Sequence, residues 1–333
     1  MPLAFIIGGT GQIGLAVARR LVGEGWEVVL ASRHAPPVAG AWRHVRLDRT
    51  ADGALGAALG EGADLVLDCL SMDEGDAVRL LSVQNRVGHI AAVSSASVYA
   101  DGAGRTLDEA RENGFPRFPV PIPEDHPTAP PGPETYSTRK VAMERALLDH
   151  AVVPVTVLRP CAIHGPHSRH AREWWFVKRL LDGCTRIPLA YGGRSRFQTT
   201  STEAIAAAVV HALGDRRAQV LNVADADAPT VREIGETIMD VMGRRAELIG
   251  LEDEPYPSSV GATPWSTERP LVCATSVPDV RTYAETVPAA VEWLVETVDR
   301  GAWQAALPQL AAYPRDHFAY GAEDELLGRK GIF

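Results

Sequence analysis

Five apolar runs punctuate the first third of the chain: LAFIIGG (3–9), EVVLASR (27–33), HVRLD (44–48), ADLVLDCL (63–70) and HIAAVSSASVY (89–99). Most are apolar nearly throughout rather than alternating, which predicts parallel strands buried on both faces. Between them, IGLAVARRLVGEG (13–25) carries helical spacing and stops at Gly25, and DGALGAALGEG (52–62) is a weaker helix. STRKVAMERALLDHA (137–151) predicts an amphipathic helix, and VPVTVLRP (153–160) a sixth strand stopped by Pro160. Strands alternating with helices give an α/β chain with a Rossmann-type, doubly wound parallel sheet. Between Asp101 and Thr135 the pattern breaks. GFPRFPVPIPEDHPTAPPGPET is too dense in proline for a helix interior or a central strand. It predicts a long loop, either a binding loop or a surface excursion of no consequence.

After about residue 165 the pattern is mixed, with helices over 167–183, 202–215, 230–243 and 287–307 and a strand over 218–224. The division predicted is a sheet domain over 1–165, joined by 197–225, and a smaller C-terminal domain over 166–196 and 226–333.

Composition narrows the partners. The net charge is −9 over 333 residues, without runs of like charge, which argues against nonspecific nucleic-acid binding. Cys69, Cys161, Cys184 and Cys273 form no C-x-x-C pair and lie at no metal-ligand spacing, so reduced thiols and no metal are expected. No run approaches the ~20 apolar residues a membrane helix needs. MPLAFIIGG is too short and uncharged for a signal peptide, so a soluble cytoplasmic protein is expected.

IIGGTGQIGLAVARRL places Gly8, Gly11 and Gly14 three apart between a strand and a helix. Glycines admit a sharp turn and close approach of a pyrophosphate, and the helix N-terminus faces that anion with free N–H groups. Gly8, Thr10, Gly11, Gln12, Ile13 and Gly14 are the predicted dinucleotide cradle; the alternative is a turn kept for tight packing. Folds that prefer NAD carry an acid near the end of the second strand for the ribose hydroxyl. Ser32 and Arg33 stand there instead, and Arg33 suits a 2′-phosphate, so NADP is expected over NAD. Asp48 could accept from the adenine amino group, or simply cap a turn.

Tyr136 and Lys140 stand four apart on a predicted helix and so share a face. An ammonium beside a phenol favours the phenolate, which lets the tyrosine exchange a proton with an alcohol while hydride moves to or from a nicotinamide. Ser95, at the end of the fifth run, could hold the same substrate oxygen, with Ser97 beside it.

Taken together, GGTGQIG (8–14), SSASVYA (94–100), YSTRK (136–140), LRPCAIHGP (158–166) and NVADADAPTVREIGETI (222–238) resemble the extended short-chain dehydrogenase/reductases, the group containing NAD-dependent epimerases and dehydratases of nucleotide sugars. The resemblance implies Ser95, Tyr136 and Lys140 as a catalytic trio. It places Pro160 and Ile163 on the nicotinamide side, and it implies a C-terminal substrate domain and often a homodimer. The chain departs from the family at four places. It lacks the acid after the second strand, and it reads DCLSM after the fourth. His164 replaces the tyrosine before Gly-Pro, and TTSTEA (199–204) lacks the customary His and Asp.

HGPHSRHAREWW (164–175) offers His164, His167, Arg169 and Trp174 to a polar or anionic ring substrate; the tryptophans could equally be packing. Arg196 is the candidate for a substrate diphosphate, which the resemblance implies near this point. The leading expectation is an NADP(H)-dependent oxidoreductase acting on a ketone or secondary alcohol of a sugar-like ring. The alternatives are an NAD-dependent epimerase or dehydratase, for which Ala96 offers no acid, and a non-catalytic dinucleotide-binding or RNA-associated protein.

Overall fold

The computed structural model describes residues 1–215, 217–252 and 260–329. The chain divides into two compact units. The first comprises Met1–Cys161, Thr202–Ala224 and Cys273–Val280, the second Ala162–Ser201, Asp225–Val272 and Arg281–Phe333.

The first unit holds β1 (Leu3–Ile7), β2 (Glu27–Ser32), β3 (Arg43–Arg46), β4 (Leu65–Asp68), β5 (Ile90–Val93), β6 (Val155–Pro160) and β10 (Gln219–Val223). They form one seven-stranded parallel sheet in the order β10-β6-β5-β4-β1-β2-β3. This is the mixed α/β, Rossmann-type architecture. Its helices are α1 (Gln12–Gly23), α2 (Ala54–Leu59), α3 (Glu74–Leu81), α4 (Ala110–Asn113), α5 (Tyr136–His150) and α7 (Thr202–Leu213). Phe5, Ile7, Val66, Ala92 and Val157 point to one face of the sheet, where Leu55, Leu80, Met143 and Leu147 from α2, α3 and α5 cover them. The alternate residues Ala4, Ile6, Leu30 and Leu67 are fully buried on the other face, the side on which α1 and α7 pack together. Burial on both faces is why these strands read as unbroken apolar runs.

The second unit contains the parallel pair β7 (Ala162–His164) and β9 (Thr199–Ser201) and the parallel pair β8 (Arg186–Leu189) and β11 (Glu247–Gly250). Its main helices are α6 (Trp174–Leu181), α8 (Val231–Met242) and α9 (Tyr283–Thr297). Trp174, Trp175, Phe176, Trp265, Tyr283 and Leu294 lie at its centre. The helix expected over 167–183 begins only at Trp174, because His167 sits in the left-handed region with φ 64° and interrupts any helix through it. The helix expected over 287–307 starts earlier, at Tyr283, and ends at Thr297. No helix among the described residues is long and apolar enough to cross a membrane.

Candidate active site

The glycine turn sits between β1 and α1, and each glycine there has its own geometric reason. Gly8 has φ 73°, which disfavours any side chain. A Cβ on Gly9 would come within 2.8 Å of the Ile6 carbonyl, and one on Gly14 within 2.5 Å of the Gly9 backbone, so helix and strand pack too closely for either. Gly11 is the N-cap of α1, without a side-chain cap and with no acid in the first turn. No acid within the first turn of α1 faces its N–H groups, and the buried Gln12 Oε1 is unpartnered. These features fit a dinucleotide pyrophosphate. The apolar side chain of Leu70, 53% exposed, rests across the turn at Gly8.

At the end of β2, the Ser32 hydroxyl donates to the His34 carbonyl at 2.6 Å and meets His44 Nε2 at 3.1 Å. Arg33 is exposed. Asp48 accepts from the Thr50 hydroxyl at 2.6 Å and the Thr50 amide at 3.1 Å. Those bonds, helped by Arg33, hold its carboxyl below the usual range. Asp48 is thus a turn-forming carboxylate that stands beside Arg33.

Thr135 caps α5 with a reciprocal Thr135–Thr138 capping box, so Tyr136 is the first helical residue. Its ring is 37% exposed, and Lys140 Nζ lies 5.7 Å from the ring centroid. Ser95 follows β5 as the N-cap of a short 3₁₀ turn, where its Oγ accepts from the Ser97 amide at 3.1 Å; the hydroxyl can still donate. Ser97 turns its own hydroxyl into the interior, and its carbonyl accepts from the Ser137 hydroxyl at 2.7 Å. The Ser137 hydroxyl of α5 therefore joins the Ser95 turn to the Tyr136 helix directly.

Lys140 is buried and donates to the Val93 carbonyl at 2.9 Å and to the Ser71 carbonyl. The DCLSM turn supplies that second carbonyl. The fully buried Asp68 accepts from the Leu70 amide at 2.8 Å, the Ser71 hydroxyl at 2.6 Å and Arg49 at 2.8 Å. Arg49 also reaches Asp76 at 2.9 Å. Asp68, Ser71 and Arg49 thus serve the site, and sequence reasoning passed them over. The available signal was a carboxylate ending the apolar run LVLD.

Burial lowers the Lys140 pKa to about 8 from its usual 10.5, against the upward pull of Asp68, Glu144 and Asp76. At neutral pH it remains mostly an ammonium. Because the native pKa lies below the unfolded one, the unfolded chain binds more protons between these values, and stability rises with pH there. The gain over that window is on the order of 3 kcal/mol. The urea midpoint of the parent, taken as the difference from that of Lys140→Met at each pH, should climb from pH 8 to 10; parallel curves would refute the assignment.

In the second unit, His164 is buried. Its Nε2 pairs with Asp225 at 2.8 Å, its ring meets Tyr283 edge-on at 5.0 Å, and Asp225 also accepts from the Ser201 amide at 2.7 Å. Burial pushes Asp225 up, and His164 together with bonds from Thr199 and Ser201 more than offsets it, leaving that carboxyl below its ordinary range. Nearby Glu173 is pushed up by burial. Trp174 is fully buried in the core, so its observed contacts are packing. His167 stands 5.6 Å from Trp293, Arg169 and Arg196 are exposed, and Glu233 of α8 has its carboxyl lowered chiefly by bonds from Thr230, with a smaller contribution from Arg196. Pro160 ends β6 in register with Val223, and Ile163 lies in β7.

A model of the NAD dependent epimerase/dehydratase family matches residues 4–224. The chain belongs to this family. Its members are enzymes of the short-chain dehydrogenase/reductase type. A curated relative, the chloroplast stem-loop binding protein of 41 kDa b from Arabidopsis thaliana, is 26% identical over 236 residues, 66% of this chain and 57% of that protein. The chain thus spans little more than half of that relative. Among solved structures, UDP-N-acetylglucosamine 4-epimerase from Bacillus cereus aligns with TM-score 0.64 and 16% identity, over 88% of this chain and 97% of that one. The dTDP-glucose 4,6-dehydratase from Bacillus anthracis str. Ames, in complex with NAD, aligns with TM-score 0.65 and 17% identity, over 92% and 100%. At these identities the structural likeness establishes the fold. The family description indicates a nicotinamide dinucleotide.

Proposed function

We propose that this family member is an oxidoreductase acting at a secondary alcohol or ketone of a nucleotide sugar or similar polar ring, with NADP(H) as its dinucleotide. The observation that carries the reading is a half-exposed phenol, Tyr136, beside the buried Lys140 ammonium, with the Ser95 hydroxyl joined to the same helix through Ser97 and Ser137. A bound nicotinamide accepts or supplies hydride. In alcohol oxidation, the phenolate of Tyr136 takes the hydroxyl proton while Ser95 donates a hydrogen bond to that oxygen. In ketone reduction, the phenol returns the proton. Lys140 favours the phenolate by charge. The exposed cations Arg169 and Arg196 of the second unit are the groups proposed to meet a diphosphate.

Two measurements test this. The protein is mixed with NAD or NADP and UDP-glucose, UDP-galactose, UDP-glucuronic acid and dTDP-glucose, following reduced-nicotinamide absorbance and separating products by chromatography. Net reduction of the dinucleotide supports an oxidoreductase; a stereoisomer without net reduction supports an epimerase instead. Arg33 carries the NADP reading, since a charge-assisted bond to a phosphate adds about tenfold in affinity or more. Titration should show NADPH binding about tenfold tighter than NADH and Arg33→Asp reversing that order. Equal affinities in the parent would return the assignment to NAD.

A second reading is a dinucleotide-binding protein that associates with RNA. The similarity to a stem-loop binding protein favours it, and the net charge of −9 opposes it. Dinucleotide binding without turnover across the panel, together with retention of a stem-loop RNA, would select it. A homodimer is proposed on the family resemblance and is read by sedimentation.

A further inference from the structure

The segment after SSASVYA is a built loop whose tip reaches the helix of Tyr136. Asp101, buried at its base, accepts from the Ala103 amide at 2.9 Å, from the Arg105 amide at 3.0 Å and side chain at 2.7 Å, and from the Arg117 amide at 2.9 Å. One carboxylate therefore closes the loop on itself. Beyond it, the Thr106 hydroxyl accepts from the Asp108 amide at 3.3 Å, and Asp108 Oδ2 accepts from the Ser137 amide at 2.7 Å. The first turn of α5 has no acid of its own. Asp108 supplies one from 29 residues away, at the residue next to Tyr136. Ser137 is fully buried, and its hydroxyl continues the link to Ser97 and so to Ser95.

We propose that Asp108 is a positioning residue: the loop closed by Asp101 clamps the first turn of α5 and so keeps Tyr136 beside Lys140 and in register with Ser95. This rests on Tyr136 being the proton-exchanging group, and it goes beyond that reading by making the loop part of the machinery. An unclamped first turn frays, as helix termini do when their amides lose partners. The phenol then spends less time near the ammonium and loses part of the stabilisation of its charged form.

The test compares Asp108→Asn, which keeps an acceptor oxygen, with Asp108→Ala, which has none. Both lack the charge, so the difference between them reports the bond. Charged groups near the phenol include Lys140 on its own helix and, around Lys140, Asp68, Asp76, Glu144 and Arg49; both variants leave these in place. Ionisation of Tyr136 is followed by near-ultraviolet phenolate absorbance, taken as the difference from the same variant carrying Tyr136→Phe, and needs no substrate. The alanine variant should titrate about half a pH unit or more above the asparagine variant. Its Ser137 amide should exchange faster. With any panel substrate the parent turns over, kcat should fall about tenfold for alanine, with asparagine restoring most of it and KM for the dinucleotide unchanged. Coincident titrations and equal Ser137 exchange in the two variants would overturn the proposal. A parent that turns over nothing, with the titrations still separated, would overturn the enzymatic reading and leave the clamp standing.

Discussion

Tyr136→Phe is expected to lower turnover by about 10²–10⁴-fold, the usual contribution of a positioned proton donor or acceptor. The structure isolates this effect. Tyr136 is the first residue of α5, and its ring is 37% exposed. Its removed hydroxyl therefore leaves the core and the cap at Thr135 intact. Dinucleotide affinity should change little, because the glycine turn before α1 and the end of β2 are separate elements. Steady-state rates and a fluorescence titration of NADPH on the same preparations check both halves. Equal turnover by the two proteins would remove the phenol from the mechanism.

The second large effect is on stability. Glu144 lies one turn beyond Lys140 on the same helix and is buried. It accepts from Arg159 at 2.6 Å and 3.1 Å and from the Ser94 hydroxyl at 2.5 Å. Arg159, on β6, is buried too; its other contacts are the Tyr99 hydroxyl at 3.2 Å and the Glu124 carbonyl at 3.1 Å. Burial alone would lower the guanidinium pKa, but the bond and charge of Glu144 drive it upward. The three-way junction fastens α5 to the residue after β5 and to β6. Glu144→Ala strands a buried guanidinium and should destabilise the protein by about 3–5 kcal/mol. The double change Glu144→Met with Arg159→Met removes both charges and should recover much of that loss. Urea denaturation distinguishes the outcomes. Additive losses in the double variant would mean that the two residues act through packing rather than as a pair.

How much of this was legible in advance depends on the range of each interaction. The four-residue spacing of Tyr136 and Lys140 is local, so any helix through 137–151 puts them on one face, and α5 does so. The glycines were legible because a turn between a buried strand and a helix has few solutions. Asp68, Ser71 and Asp108 were not. Lys140 meets Ser71 across 69 residues, Asp108 meets Ser137 across 29, and Glu144 meets Ser94 across 50. Each looks in sequence like an ordinary polar residue near a strand end or in a loop. His164 and Trp174 show the converse. Their chemistry suggested ligand contact, but His164 is paired with Asp225 in the interior and Trp174 is core.

The sequence by itself determined the parallel sheet, its helical crossovers, the glycine turn and the shared face of Tyr136 and Lys140. Apolar periodicity and backbone sterics act between near neighbours and survive in any fold of that pattern. The tertiary structure alone decided which carbonyls hold Lys140, which carboxylate clamps α5, and how Cys273–Val280 returns to the first unit. Those outcomes turn on polar bonds between groups far apart in the chain, which form only once distant segments align; for Lys140 the desolvation of the charge adds to the cost.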